Sequence, residues 1–192
     1  MVNFSLRAFR TERLVISDLT VEDAMDMAGW KKHSSVLFSE YNFDNMTVKE
    51  RLKWYHFKTD SRKNHYYSAR EKGKLVGYFG IKDTSKLFRE STLGIVLDAG
   101  RMGEGFGREI LENFLAVYFG EFKMRKLSLK VAEYNERAIR LYEAMGFRKT
   151  RVFLESLTDE EASNPSLLKN PKFFKKTAQG ISFYVRQMEK RK

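Results

Sequence analysis

The chain has 192 residues, with 36 lysines and arginines against 25 aspartates and glutamates, so its formal net charge is +11. Its 42% hydrophobic and 14% aromatic residues exclude a wholly disordered chain. The length predicts a single domain over residues 1–192 with a core from about residue 10 to residue 188, and the lack of cysteine excludes disulfides, cysteine-ligated metal sites and a thiol nucleophile.

The first third of the chain carries the patterns of one strand and two helices. The β-branched run 13–17 predicts the strand. Thr20 followed by Asp23 predicts the first helix start, and Thr47 with Glu50 forms a capping box that predicts the second. The apolar stripe of the first helix comprises Val21, Ala24, Met25 and Ala28. One face of the second helix carries Leu52, Tyr55 and His56.

From residue 66 onward the pattern changes to strands. The runs 66–71 and 75–82 flank a Lys72-Gly73 turn, and a glycine at that position suits a two-residue hairpin, so these strands should pair antiparallel. Further strands are predicted at 91–97, 126–131, 147–157 and 181–188. A further helix is indicated by the spacing of Ile110, Phe114, Val117 and Tyr118, and the last one by residues 136–145, which end at Gly146.

The last two strands are joined by a polar connection at residues 158–180, which is longer than most hairpin loops. We interpret it as a functional flap or an interaction loop. The whole order of elements predicts an α/β (α+β) sandwich with a largely antiparallel sheet, and it argues against a doubly wound dinucleotide fold.

A glycine-rich turn links the strand at 91–97 to the next helix. Glycines let backbone N–H groups approach a ligand, and a helix N-terminus adds unpaired donors, so the turn predicts a phosphate or pyrophosphate site. Arg108 stands where a dinucleotide or kinase loop needs its third glycine, and no Gly-Lys-Ser/Thr of a Walker A loop is present. A tight strand-to-helix corner without a ligand is the alternative. The glycines of the turn are Gly100, Gly103, Gly105 and Gly107.

A second motif lies in the last predicted helix. Asn135 is placed as its N-cap, and taken alone the apolar stripe that follows predicts a packed tyrosine at position 142. The stripe consists of Ala138, Leu141, Tyr142 and Met145.

Together, M-G-E-G-F-G at 102–107 and N-E-R-A-I-R-L-Y-E-A-M-G-F at 135–147 resemble the GNAT superfamily of acetyl-coenzyme A-dependent N-acetyltransferases. The opening at 10–24 is similar to the branch that includes ribosomal-protein N-terminal acetyltransferases and many small-molecule acetyltransferases. The resemblance extends from about residue 10 to residue 188. It implies a mixed, mostly antiparallel central sheet with helices on both faces, and acetyl-coenzyme A as cosubstrate without a metal.

The resemblance also implies roles for individual residues. Asn135 would contact the cofactor, and Tyr142 would stand near its sulfur. The pantetheine arm would lie along Ile95, Val96 and Leu97. Met102 replaces the Gln or Arg usual in the family and Arg101 is out of register, so we expect backbone rather than side-chain recognition of phosphate. The pyrophosphate cradle would comprise Met102, Gly103, Glu104, Gly105, Phe106, Gly107 and Arg108.

The implied reaction is direct attack of an amine on the thioester, which needs no protein nucleophile and so agrees with the lack of cysteine. A tyrosine has an ordinary pKa of about 10 and a thiol has one of about 8.5, so proton donation from Tyr142 to the departing thiolate is uphill by only about 1.5 pKa units. We therefore expect Tyr142 to act as the general acid. Thr92 stands where many relatives carry a glutamate base. Glu90, on the same strand face, is the provisional base, while Glu133, Glu40 and a water relay stay open.

The implied partners are acetyl-coenzyme A and a primary amine, and the acceptor's identity and a homodimer both stay open. Aromatic residues interleaved with cations between Lys49 and Lys74 leave a nucleic-acid or ribosome-binding module as an alternative, although no RNA-binding motif is present. The missing base position leaves a catalytically silent coenzyme A sensor as another. We do not expect nucleic acid as a partner.

The sequence offers little sign of a metal or of a membrane. Its histidines, His33, His56 and His65, lack metal-ligand spacing. No run of about 18 apolar residues and no secretory signal are present, so we expect no membrane span and a cytoplasmic location.

Overall fold

The computed structural model describes residues 4–6, 8–158, 162, 165–178 and 180–192. It divides into two compact units, one formed by residues 1–127 with Lys192 and the other by residues 128–191. The prediction of a single domain stays a prediction. No helix of the described residues is long and apolar enough to cross a membrane.

The first unit contains five strands and three helices. Each strand pairs antiparallel with the next along the chain. The strands are β1 (Phe9–Arg10), β2 (Leu14–Asp18), β3 (His65–Glu71), β4 (Lys74–Ser85) and β5 (Glu90–Leu97). The helices are α1 (Val21–Asp26), α2 (Val48–Thr59) and α3 (Phe106–Gly120). The predicted antiparallel pairing of the two strands that flank the Lys72-Gly73 turn is confirmed, whereas β1 is not among the predicted strands.

Local signals place the ends of these elements where the sequence predicts them. Thr20 and Thr47 both form capping boxes, with Asp23 and Glu50 respectively. The turn between β3 and β4 has positive φ at both central residues, 47° at Lys72 and 81° at Gly73, as a tight hairpin requires.

The predicted apolar stripe of α1 is wrong at its last position. α1 ends at Asp26 and continues as a 3₁₀ turn at Met27–Gly29. The tighter winding shifts the buried side by one residue, so Met27 is fully buried whereas Ala28 is exposed. In α2, the predicted face is half-buried at Leu52 and Tyr55 but His56 is exposed.

Helices cover both faces of the sheet in the first unit, as expected. On one face, Tyr67 and Phe79 pack against Phe114 of α3, with ring centroids 5.5 and 5.0 Å away. Because side chains alternate along a strand, the neighbouring Tyr66 and Tyr78 point to the opposite face. There they join side chains from α2 and from the segments before it. We call this group the aromatic cluster, and it comprises Trp30, Phe43, Trp54, Tyr66 and Tyr78.

The second unit contains several strands and the helix α4. β9 pairs antiparallel with both β7 and β8. The elements are β6 (Lys126–Ala132), which begins in the first unit, α4 (Glu136–Ala144), β7 (Arg148–Ser156), β8 (Phe174–Thr177) and β9 (Gly180–Arg191). Gly146 follows α4 at φ 84°, as predicted for a residue that ends a helix.

The connection at 158–180 is partly sheet, and its interpretation as a functional flap or an interaction loop stays a prediction. It contains a 3₁₀ turn at Pro165–Lys169 and the strand β8. Phe174 is buried and stacks on Tyr134 at 5.6 Å, so the end of the connection is anchored beside α4. Residues 159–161, 163, 164 and 179 lie outside the described residues.

Candidate active site

The glycine-rich turn begins at Asp98, directly after β5. The carboxylate of Asp98 accepts hydrogen bonds from the N–H groups of Gly100, at 2.8 Å, and Lys31, at 2.9 Å. Gly103 and Gly105 follow with φ of 97° and 87°, values that residues other than glycine rarely adopt. These two glycines therefore set the path of the chain into α3.

The turn presents a series of free backbone donors. Arg108 N–H already donates to the carbonyl of Gly105 at 3.1 Å, so this member of the predicted cradle contributes no free amide. Phe106 and Gly107 begin α3, and the positive N-terminal end of a helix favours phosphate. Among the described residues, no acceptor exists for the N–H groups of Met102, Gly103, Glu104, Gly105, Phe106 and Gly107.

The side chains of the turn are committed elsewhere. The Arg101 guanidinium donates to Glu71 at 2.6 Å and to Glu104 at 2.8 Å, and it lies 4.8 Å from the ring of Phe106. Its hydrogen bond holds the pKa of Glu104 below its usual range. Met102 is 41% exposed and carries no charge. The expectation that phosphate recognition depends on the backbone therefore agrees with this geometry.

Hydrogen bonds from Thr11 and Arg13 to Glu109 form a clamp on the first turn of α3, which the sequence patterns do not predict. The buried carboxylate of Glu109 accepts from the hydroxyl of Thr11 at 2.5 Å and from both N–H and Nε of Arg13 at 2.7 Å. Burial alone would raise the pKa of Glu109, but these hydrogen bonds outweigh it and lower that pKa. Arg13 also donates to the carbonyl of Glu104 at 2.9 Å. The clamp joins β2 to the glycine turn, and its one sequence signal is a glutamate at an otherwise apolar helix position.

β5 positions the residues expected to hold the pantetheine arm. Ile95, Val96 and Leu97 are half-buried, and Val96 pairs with Tyr78 and packs against the aromatic cluster. Just before them, Gly94 lies opposite Gly80 of β4.

Two of the three candidate bases are held in ion pairs. Glu90 is bound to Lys126 at 2.5 Å, and it lies five residues, roughly 17 Å along the strand, from Ile95. Glu133 receives two hydrogen bonds of 2.9 Å from the forked guanidinium of Arg186. Both carboxylates are therefore already engaged by a cation of the chain, which argues against either of them as a free general base.

Glu40 is the candidate that remains uncommitted. It is exposed at the end of the 3₁₀ turn Val36–Tyr41 and makes no hydrogen bond or ion pair with a described residue. Its charge acts on Tyr78, the register partner of Val96, and on Lys58. Glu40 is therefore within electrostatic range of Tyr78 and Lys58.

The remaining predicted residues lie on α4. Asn135 caps this helix, because its side-chain oxygen accepts from Ala138 N–H at 3.2 Å. Tyr142 is buried against Phe147, with ring centroids 5.9 Å apart. Burial raises the pKa of Tyr142 well above its ordinary value. Its hydroxyl makes no hydrogen bond to any residue that the structure describes.

The described residues hold no cluster of three or more acidic or histidine side chains that would ligate a metal ion. The donors gathered at the glycine turn are instead N–H groups, which bind anions.

Known proteins share this sequence pattern over part of their length. The sequence model of the acetyltransferase (GNAT) domain matches residues 13–148. N-alpha-acetyltransferase RimI of Mycobacterium tuberculosis is 33% identical over 90 residues, which are 45% of this chain and 53% of that protein. Spermidine N(1)-acetyltransferase of Vibrio cholerae is 29% identical over 73 residues, 38% of this chain and 42% of that protein. The chain thus spans about half the length of the curated relatives it matches.

A solved structure extends the likeness to the whole fold. Spermidine N-acetyltransferase from Vibrio cholerae, in complex with CoA and spermine, has a TM-score of 0.71 and 18% identity, over 94% of this chain and 96% of that one. The expected mixed fold with a mostly antiparallel sheet is confirmed. With the domain match over more than half of its residues, the chain belongs to the GNAT acetyltransferase family.

Proposed function

We propose that the protein is an acetyl-coenzyme A-dependent N-acetyltransferase that moves the acetyl group to a primary amine. The observation that carries the proposal is the row of unpaired N–H groups over residues 102–107, at the N-terminus of α3. A pyrophosphate there would satisfy donors that the described residues leave without acceptors.

The cofactor would be held mainly by backbone. Gly103 and Gly105 have positive φ, which residues with a Cβ rarely adopt. The Arg101 side chain is already bound to Glu71 and Glu104. Arg108 pairs with Glu112 at 3.2 Å on the surface, and because exposed ion pairs are weak it can turn toward a phosphate.

In the reaction the amine nitrogen forms a bond to the thioester carbon, the carbon–sulfur bond breaks, the amine loses a proton and the thiolate takes one up. We propose Tyr142 as the donor of the second proton. Its raised pKa keeps the hydroxyl protonated at neutral pH, and that hydroxyl has no competing partner among the described residues. Apolar surroundings also raise the pKa of a thiol, so proton donation stays within reach.

For the proton of the amine we propose Glu40, acting directly or through a water, in place of the provisional Glu90. Support comes from its freedom from ion pairs and its position near Tyr78. Asn135 keeps its side-chain N–H₂ for the cofactor, since the oxygen is used as the helix cap.

The two alternative functions are a nucleic-acid or ribosome-binding module and a catalytically silent coenzyme A sensor. In the basic stretch at 49–74, Tyr67 is buried and Trp54 and Tyr66 pack into the aromatic cluster, whereas Phe57 is 77% exposed. Most of these rings are therefore not open for stacking, which argues against a nucleic-acid module. A catalytically silent coenzyme A sensor is still open, as is a homodimer, and a cytoplasmic location is still an expectation.

Thermal unfolding with acetyl-coenzyme A tests the binding half of the proposal. At 100 times its Kd a ligand adds about 2.7 kcal/mol of stability, or a Tm increase of roughly 5–10 °C for a chain of this size. No shift at millimolar acetyl-coenzyme A would contradict binding. Release of free thiol with a panel of amines then separates an enzyme from a sensor.

A further inference from the structure

The face of the sheet that carries the aromatic cluster has an opening over β5. Tyr66, Gly80 and Gly94 lie side by side across β3, β4 and β5. The Tyr66 ring covers Gly80, where an added Cβ would lie 2.8 Å from Cγ of the ring. A Cβ added at Gly94 would meet no atom within 4 Å. The space over Gly94 is therefore open, directly before the residues expected to hold the pantetheine arm.

Two lysines border this opening. The Lys58 ammonium lies 5.4 Å from the ring centroid of Tyr66 and 5.7 Å from that of Trp54. Lys82 is two residues beyond Gly80 on the same face of β4, about 7 Å along the strand. Burial lowers the pKa of Lys58, and the positive charge of Lys82 lowers it further.

Neither lysine has a counter-ion at contact distance. Across the described part of the chain, neither Lys58 nor Lys82 forms an ion pair within 4.0 Å. The one carboxylate whose charge acts on Lys58 is that of Glu40, and it lies beyond contact. Lys82 is exposed, whereas Lys58 is half-buried, so the Lys58 ammonium loses hydration that an anionic ligand would replace with a charge-assisted hydrogen bond.

We propose that the acceptor amine binds over Gly94 and that Lys58 and Lys82 bind an anionic group on the same molecule. The acceptor is then a primary amine that also carries a carboxylate or a phosphate. A polyamine, whose groups are all cationic, would instead bring like charges to these lysines. This inference rests on the proposed function, and the bonds made and broken are those of that reaction.

The test compares amines that differ in the anionic group alone. Thiol release is measured with 4-aminobutyrate against 4-aminobutanamide, with O-phosphoethanolamine against ethanolamine, and with spermidine. We expect at least one anionic member to exceed its neutral partner by roughly tenfold or more in kcat/KM, since hydrogen bonds to charged groups are worth about 1.5–3 kcal/mol. The carboxylate and phosphate pairs separate the two anions.

Variants assign the preference to the lysines. Lys58→Met and Lys82→Met keep the apolar stem but remove the charge, and each should shrink the anionic preference severalfold while leaving the KM for acetyl-coenzyme A unchanged. Lys53→Met, on the exposed side of α2, is the matched control. It should change neither the anionic preference nor the KM for acetyl-coenzyme A.

The outcomes separate this inference from the proposed function. Thiol release that favours spermidine or the neutral amines would overturn the inference and leave the acetyltransferase intact. A preference that survives both lysine variants would also overturn it. Release of no thiol with any amine would contradict the proposed function itself, and the acceptor site with it.

Discussion

Gly94→Ala separates the stability of the protein from its activity. The added methyl meets no atom within 4 Å, and Gly94 does not have positive φ, so the folded chain accommodates alanine without strain. Replacing glycine where the backbone permits it stabilises a protein by about 0.4–1 kcal/mol, through the unfolded state. For a chain of this length that corresponds to a Tm increase of roughly 1–4 °C.

The same methyl occupies the space where the acceptor amine is proposed to approach. Reacting atoms must come within about 3–3.5 Å, and a misplacement of about 1 Å costs on the order of 10²-fold in rate. We therefore expect kcat/KM for the amine to fall by about 10²-fold while Tm stays the same or rises.

The assay pairs thermal unfolding with thiol release, and the chain supplies a matched control. Gly120, the last residue of α3, is also exposed, and a Cβ there also meets no atom within 4 Å. Gly120→Ala should leave kcat/KM unchanged. Full activity in Gly94→Ala would refute the idea that the amine approaches over this glycine.

Four further predictions follow from the geometry. Gly105→Ala forces alanine into φ 87°, which should cost about 1–2 kcal/mol in urea unfolding and weaken acetyl-coenzyme A binding in calorimetry; unchanged affinity would argue against the cradle. Tyr142→Phe should lower kcat by about 10²-fold with little change in Tm or cofactor Kd, because the hydroxyl bonds to no described residue, whereas unchanged turnover would remove it from the mechanism. Glu40→Gln should lower kcat and leave Tm unchanged, whereas Glu133→Gln should lower Tm and spare kcat because it breaks the pair with Arg186; the reverse pattern would reassign the base. Stability should fall as pH rises above about 10, by up to about 1.4 kcal/mol per pH unit for each tyrosine whose pKa is raised by burial, because the unfolded state then binds fewer protons than the folded one; a flat stability curve from pH 10 to 11 would contradict this. These tyrosines are Tyr67, Tyr78, Tyr118 and Tyr142.

The features that the sequence predicts well are those set by neighbouring residues. The helix starts at Thr20 and Thr47 and the Lys72-Gly73 hairpin all depend on a few consecutive side chains. The same holds for Asn135 as the cap of α4. Where the conformational preferences of neighbouring residues are strong, contacts with distant residues rarely change the local structure.

The features that the sequence misses depend on residues far apart in the chain. The bonds of Glu109 to Arg13 span 96 positions, and nothing beside Glu109 indicates its partner. The pairing of Arg101 with Glu71 spans 30 positions and decides that this guanidinium is not free for phosphate. Likewise, β8 reads as part of a polar connection until its pairing with β9 is known.

The roles of the candidate bases are also invisible in the sequence. Glu90, Glu133 and Glu40 look alike as surface carboxylates, and only the structure shows Lys126 beside the first and Arg186 beside the second. Spacing along the chain carries no information about such ion pairs, so the distinction rests on tertiary structure.

The most direct test of the central claim is mass spectrometry of the amine after incubation with the protein and acetyl-coenzyme A, with free thiol measured in the same reaction. The account predicts one acetyl group on the amine nitrogen for each thiol released, with both signals strongly reduced in Tyr142→Phe. Binding of acetyl-coenzyme A without any acetylated amine across the panel would contradict it.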